Sequence, residues 1–116
     1  MSRRDDLPAH AAALSRVLGV EVRPTPILDE ALTHPSASSR ARPHNQRLEF
    51  LGDRVLGLVM AERLFELFPE ADEGTLAPRF NALVRKETCA EVAVELGLGP
   101  MLRLGRSETM AGGRRK

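Results

Sequence analysis

"RLEFLGDRVL", residues 47–56, is the stretch on which the fold turns. Two carboxylates, Glu49 and Asp53, stand one helical turn apart among leucines, a phenylalanine and a valine, and Gly52 directly precedes the aspartate. The stretch lies inside the longest helical segment of the chain, expected over 46–68 and stopped by Pro69. On a helical wheel of about 100° per residue, Asp53 falls about 40° from Glu49. The same stripe continues through Leu56, Met60, Leu64 and Leu67, and the opposite side carries Leu51, Val55, Leu58 and Phe65. A helix apolar nearly all round belongs at the centre of a fold, covered by neighbouring helices or by a partner chain.

The flanks read as further helices. Residues 6–18 form a first one, with Pro8 in its first turn and Gly19 as its stop. "VEVRPTP" is a connector in which Pro24 and Pro26 oppose regular structure. A short helix is expected over 27–33, and then "HPSASSRARPHN" is a polar loop from which Asn45 caps the long helix. After the turn "EADEG", Thr75 is expected to cap a helix running through "FNALVRKE" with Pro78 in its first turn. A break then leads to a last helix over 88–96, ended by Gly97 and Gly99. No internal repeat stands out, and "VEVR" alternates alone, without a second strand to pair with. The expectation is an all-α domain spanning residues 1–116, whose closing stretch "MLRLGRSE" reads as a connector toward a further element.

Composition sets the outer bounds. The 116 residues suit one domain, and 42% hydrophobic with 28% charged is an ordinary globular balance. Aromatics are 3%, with no Trp or Tyr, so stacking platforms for single-stranded bases are scarce. A net charge of +1 does not by itself imply a polyanion partner. Its distribution is uneven: the end carries Arg106, Arg114, Arg115 and Lys116, and the stretch 62–73 is acidic. One cysteine, Cys89, agrees with a reducing compartment, and neither a secretory h-region nor a run of ~18 apolar residues is present. The expected location is cytoplasmic, with no membrane partner.

Two acids on one face of an apolar helix need compensation, because like charges at this spacing repel and unpaired burial costs far more. An arginine, a protonated carboxyl or a divalent cation each answers the need. Hard Mg2+ takes carboxylate oxygens and water, commonly with one or two carboxylates. Gly52 and Gly57 each weaken a helix by about 1 kcal/mol relative to Ala, which makes sense where another backbone or a ligand comes close. The plainer alternative has Glu49 paired with Arg47 or Arg54 and Gly52 serving helix packing.

The order of residues goes further. "NQRLEFLGDRVLGLVMAERLF" resembles the signature helix of the ribonuclease III family, N-E-R-L-E-F-L-G-D-x-V-L. Upstream, "ALTHPSA" is similar to that family's A-[LF]-[TL]-H-x-S segment. Downstream, "FPEADEGTLAPRFNALVRKETCAEVAVELGLG" resembles its F-P-x-x-x-E-G-x-L-[ST] turn and two helices, and "RLGRSETMAGGRRK" its L-G-x-G-E-x-x-x-G-G-R connector. The four segments are collinear from about residue 10 onward.

The resemblance implies a helical, homodimeric endonuclease that cleaves double-stranded RNA with Mg2+, or Mn2+ in its place, in RNA processing. Its two active centres lie in a cleft between subunits. Glu49 and Asp53 match two acids tied to the family's metal site, and Glu73 in "DEG" matches a third acid of the cleft. Gln46 stands where the family has a glutamate, and Arg79, Arg85 and Lys86 are candidates to meet RNA phosphates. In the family, the connector leads to a helix with two more essential acids, and bacterial members add a double-stranded-RNA-binding domain; the sequence stops at Lys116, before both. The expectation is an N-terminal part of such an endonuclease domain with little activity alone. A non-catalytic dimerising or RNA-binding member of the same fold is the alternative, and a plain helical domain with salt-bridged acids a third.

Overall fold

The computed structural model describes residues 6–38 and 43–105. The N-terminal five residues, the loop segment 39–42 and the basic tail 106–116, including Arg106, Arg114, Arg115 and Lys116, lie outside the described residues. Among those described, five α-helices follow in order: α1 (Leu7–Leu18), α2 (Pro26–Ala31), α3 (Gln46–Leu67), α4 (Glu73–Val84) and α5 (Lys86–Leu96). Two 3-10 turns, Pro35–Ala37 and Gly99–Met101, interrupt the connections. The all-α reading holds, and the one β feature among the described residues is an isolated parallel bridge between Thr33 and Arg103.

Local chemistry explains most boundaries. Gly19 ends α1 in the left-handed region at φ 70°, and its N–H donates to the Ser15 carbonyl. Gly97 does the same for α5 at φ 72°. Both positions need a residue without a Cβ penalty there.

Several starts differ from the sequence reading. Pro26 does not oppose structure; it is the first residue of α2, where its missing N–H would be unbonded anyway, and Thr25 caps the helix by accepting from Leu28 N–H. Asn45 precedes α3 but makes no side-chain cap. Its Nδ2 instead donates to the Ala31 carbonyl at 3.4 Å and its N–H to the Thr33 carbonyl at 2.9 Å, so it is spent on α2. Asp72, not Thr75, caps α4, accepting from the Thr75 N–H at 2.9 Å. That places Pro78 inside the helix rather than in its first turn. The break between the last two helices falls at Arg85, which is extended at ψ 157°, earlier than expected.

Burial is uneven. Ala11 and Leu14 of α1, Leu32, Thr33 and Arg103 are buried at one end of the molecule, and Leu64 is the buried residue of α3. At the packed end, Arg103 is only 6% exposed, and its Nη1 lies 2.9 Å from Asp29 Oδ1, a charge contact without an aligned N–H. Removing one partner of such a buried pair typically costs about 3–5 kcal/mol, because the other charge is stranded. The long helix α3 packs on α4, and α4 on α5. Of the two covers expected for its far side, neighbouring helices do not supply one among the described residues. Leu51, Val55, Leu58 and Phe65 are all exposed, Leu58 to 71% and Phe65 to 74%. The apolar wheel was right; the cover for it is not among the described residues.

Candidate functional site

Glu49 and Asp53 sit in the first two turns of α3, on the side that faces α4 and α5. Together with Leu56 and Gly57 of the same helix, Phe80 and Val84 of α4, and Lys86 and Cys89 of α5, they line a cavity of about 490 Å³. The lining combines apolar side chains with charges of both signs. Gly57 faces α4, where a Cβ would lie 3.5 Å from Phe80 Cζ, an ordinary contact distance. Gly52 faces no such neighbour, since nothing lies within 4 Å of its would-be Cβ among the described residues.

Both acids are exposed, and among the described residues neither side chain makes a hydrogen bond or ion pair. Pairing of Glu49 with Arg54 is not realised. Arg54 turns back along α3, donating to the Phe50 carbonyl at 3.3 Å and stacking 4.0 Å from the centroid of the Phe50 ring. Arg47 lines a different recess, beside Glu30, Gln46 and Leu48. Two uncommitted carboxylates one turn apart therefore share one cavity wall, which is the donor set a hard divalent cation accepts.

The other expected residues divide. Lys86, read from sequence as an RNA contact, lines the acid cavity itself. Glu73 does not join the pair. It lies at the start of α4 on a separate apolar groove with Ala61, Leu64, Phe65 and Leu76, and among the described residues no three acidic, His or Cys side chains converge to hold a metal. Glu73, matched by the resemblance to a third acid of the cleft between subunits, thus opens within one chain on a different recess from Glu49 and Asp53. Gln46 likewise opens on the Arg47 recess rather than the acid cavity. Arg79 is exposed and stacks 4.3 Å from the centroid of the Phe68 ring, and Arg85 donates to Thr88 Oγ1 at 3.3 Å. Cys89 is half-buried on the cavity wall, its Sγ 3.7 Å from the Val84 carbonyl. Sequence reasoning did not single out the two α4 residues, Phe80 and Val84, that line the cavity with the acids.

Comparison with known proteins identifies the family and the fold. The sequence model of a family described as Ribonuclease-III-like matches residues 24–116. Ribonuclease 3 of Dinoroseobacter shibae is 72% identical over 90 residues, covering 78% of this chain and 39% of that protein. Ribonuclease 3 of Ruegeria pomeroyi is 63% identical over 110 residues, covering 95% of this chain and 49% of that protein. The chain thus spans half or less of the length of these relatives. Among solved structures, the nuclease domain of ribonuclease III from Campylobacter jejuni superposes with a TM-score of 0.82 at 38% identity, over 90% of this chain and 71% of that one. That protein is described as structurally flexible in the region involved in its dimer formation. Shared sequence over most of its length and a shared helical fold place this chain in the ribonuclease III-like family.

Proposed function

We propose that this chain is the acid-bearing part of an endoribonuclease that hydrolyses phosphodiester bonds of double-stranded RNA with a divalent cation, Mg2+ in the first place and Mn2+ as a substitute. The observation that carries the reading is the cavity shared by Glu49 and Asp53, two uncommitted carboxylates lining it together with Lys86 and apolar side chains. The donor set fits the ion: hard oxygen ligands on one rigid helix, open to water. A bound divalent ion supplies Lewis-acid polarisation of a phosphoryl oxygen and a water of lowered pKa.

The chain's own residues do the rest. Glu49 and Asp53 are the catalytic and metal-holding pair, held at fixed spacing by the helix backbone. The Lys86 ammonium, on the same cavity, attracts a phosphate that approaches it. Arg79 and Arg85, exposed on the α4–α5 side, add backbone-directed affinity that reads duplex shape rather than base sequence. Glu73 and Gln46 enter as groups of the dimer cleft rather than of the same cavity.

The partner is a second copy of the chain. Its support is the uncovered apolar side of α3, where Leu51, Val55, Leu58 and Phe65 form a continuous exposed stripe of the kind a self-complementary contact buries. Because two carboxylates hold Mg2+ weakly, the 116 residues alone are expected to bind the ion without cutting efficiently.

The test is a Mn2+ titration of the chain followed by electron paramagnetic resonance, with a labelled RNA duplex as substrate in parallel. Saturable Mn2+ binding that weakens in both Glu49→Gln and Asp53→Asn is expected. Binding indifferent to both substitutions would overturn the metal site. Rapid duplex cleavage in Mg2+, stopped by EDTA and by Glu49→Gln, would overturn the weak-site part while supporting the nuclease.

A further inference from the structure

The segment "THPS", residues 33–36, takes no part in the acid cavity, yet its bonds are unusually long-range. Thr33 is 0% exposed, and its Oγ1 donates to the Asp29 carbonyl at 2.7 Å, closing the end of α2. On one side of it, Arg103 N–H donates to the Leu32 carbonyl at 2.7 Å, and His34 N–H donates to the Arg103 carbonyl at 2.9 Å. On the other side, the Thr33 carbonyl accepts the N–H of Asn45 at 2.9 Å, and the Asn45 carbonyl accepts the N–H of Glu49 at 2.7 Å. Three stretches far apart in sequence thus meet at one buried threonine, and one of them is the first turn of the acid-bearing helix.

The side chains complete the junction. Ser36 N–H donates to His34 Nδ1 at 3.0 Å, so Nδ1 carries no proton and the ring hydrogen is on Nε2. The Ser36 hydroxyl, 2.8 Å from the same nitrogen, then also donates to it. That leaves its oxygen to accept Gly105 N–H at 2.7 Å. A Cβ on Gly105 would run into the Ser36 carbonyl, so glycine is required for the segment to lie this close. The Arg103–Asp29 ion pair anchors the same segment from beneath.

The location gives the junction its consequence. The acid cavity has α3 as one wall and the start of α5 as the other, while the strong helix packing runs from α3 to α4 and from α4 to α5. The far end of α5 continues through Gly99–Met101 into Arg103, and there it is bonded back to the start of α3 through Thr33. We propose that Thr33, His34, Ser36, Asp29 and Arg103 form a positioning clamp that fixes the start of α3 against the end of α5 and so sets the spacing of Glu49 and Asp53 against Lys86. They are positioning residues, since none of them lines the acid cavity. The inference rests on the reading of that cavity as a divalent-cation site.

The experiment uses the full chain and Mn2+ alone as probe, well below the melting temperature. Ser36→Ala, an exposed change, and Arg103→Met are each expected to weaken Mn2+ by about 10-fold or more, as loss of outer supporting groups does, with the helical circular dichroism unchanged. Arg103→Lys, which keeps the charge near Asp29, is expected to recover part of the loss. In the unsubstituted chain, nitrogen NMR is expected to show His34 with an unprotonated Nδ1. Clamp variants that melt earlier but bind Mn2+ like the parent would overturn the clamp while leaving the metal site standing. A proton found on His34 Nδ1 would overturn it independently, even if every variant failed to fold. Should Glu49→Gln and Asp53→Asn also leave Mn2+ affinity untouched, the metal site falls, and the clamp with it.

Discussion

At one end of the molecule Leu14, Leu32, Thr33 and Arg103 are shielded from water and tied together by main-chain bonds and an ion pair. Along α3, the helix that carries the acid pair, Leu64 is the only residue so shielded, and four large apolar side chains of the opposite face stand in solvent. Both regions carry large apolar side chains, but they are opposite in what covers them. The packed end is self-sufficient: its stability comes from contacts within the chain. The apolar far side of the long helix has no cover among the described residues, which is how an element looks when function or assembly, rather than monomer stability, sets its surface.

The sharpest way to break that comparison is to truncate matching leucines. Leu14→Ala, at a site 6% exposed, is expected to destabilise by about 2–5 kcal/mol, the range for a buried leucine that leaves a cavity. Leu58→Ala is expected to stay within about 0.5 kcal/mol in the monomer, as exposed changes do. Chemical denaturation at low protein concentration checks both. Equal costs at that concentration would show α3 to be covered by its own chain, and the contrast between the two regions would be lost.

Assembly gives the next largest effect. If a second copy covers the Leu51–Leu58–Phe65 face, Leu58→Glu buries an unpaired charge at the contact, and dimerisation weakens by at least about 2 kcal/mol, roughly 30-fold. Sedimentation across a concentration series reads this directly. A parent chain that stays monomeric throughout the series would remove the second copy as the cover.

The acids themselves should matter less to stability and more to ligand linkage. At a hundred times its dissociation constant, a bound cation stabilises the fold by about 2.7 kcal/mol. Mg2+ or Mn2+ is therefore expected to raise the melting temperature of the parent, and Asp53→Asn to abolish the rise while changing the metal-free value little, because Asp53 is exposed and makes no ion pair among the described residues. A rise that survives Asp53→Asn would mean that the cation acts elsewhere.

Local signals in the sequence were read well, and contacts across it were not. The five helices, the stops at Gly19 and Gly97 and the face shared by Glu49 and Asp53 all follow from spacings of a few residues. Cap assignments went astray where two candidates competed. Asp72 and Thr75 both suit a helix start, and the carboxylate took the position by accepting from the threonine's own N–H. Asn45 has a capping side chain, but a tertiary bond to α2 claimed it. The junction around Thr33 was illegible for a stronger reason: Ser36 and Gly105 are 69 residues apart, and nothing in either local pattern announces the other.

The two glycines of α3 give the smallest and most discriminating prediction. Gly57 faces Phe80 at ordinary contact distance, so Gly57→Ala costs little room and gains about 1 kcal/mol of helix propensity. Gly52 has open space around it among the described residues, so within a monomer Gly52→Ala should gain the same about 1 kcal/mol with no opposing term. A gain of that size raises the melting temperature of a domain this small by roughly 4–8 °C. The two substitutions should therefore look alike at low protein concentration and diverge as concentration rises, if a second chain comes close at Gly52. An advantage for Gly52→Ala that shrinks or reverses in the dimer would assign that glycine to the interface. An advantage that persists at every concentration would leave the sequence with a helix-weakening residue beside Asp53 that neither packing within the chain nor assembly requires, and would direct attention to the room a ligand needs there.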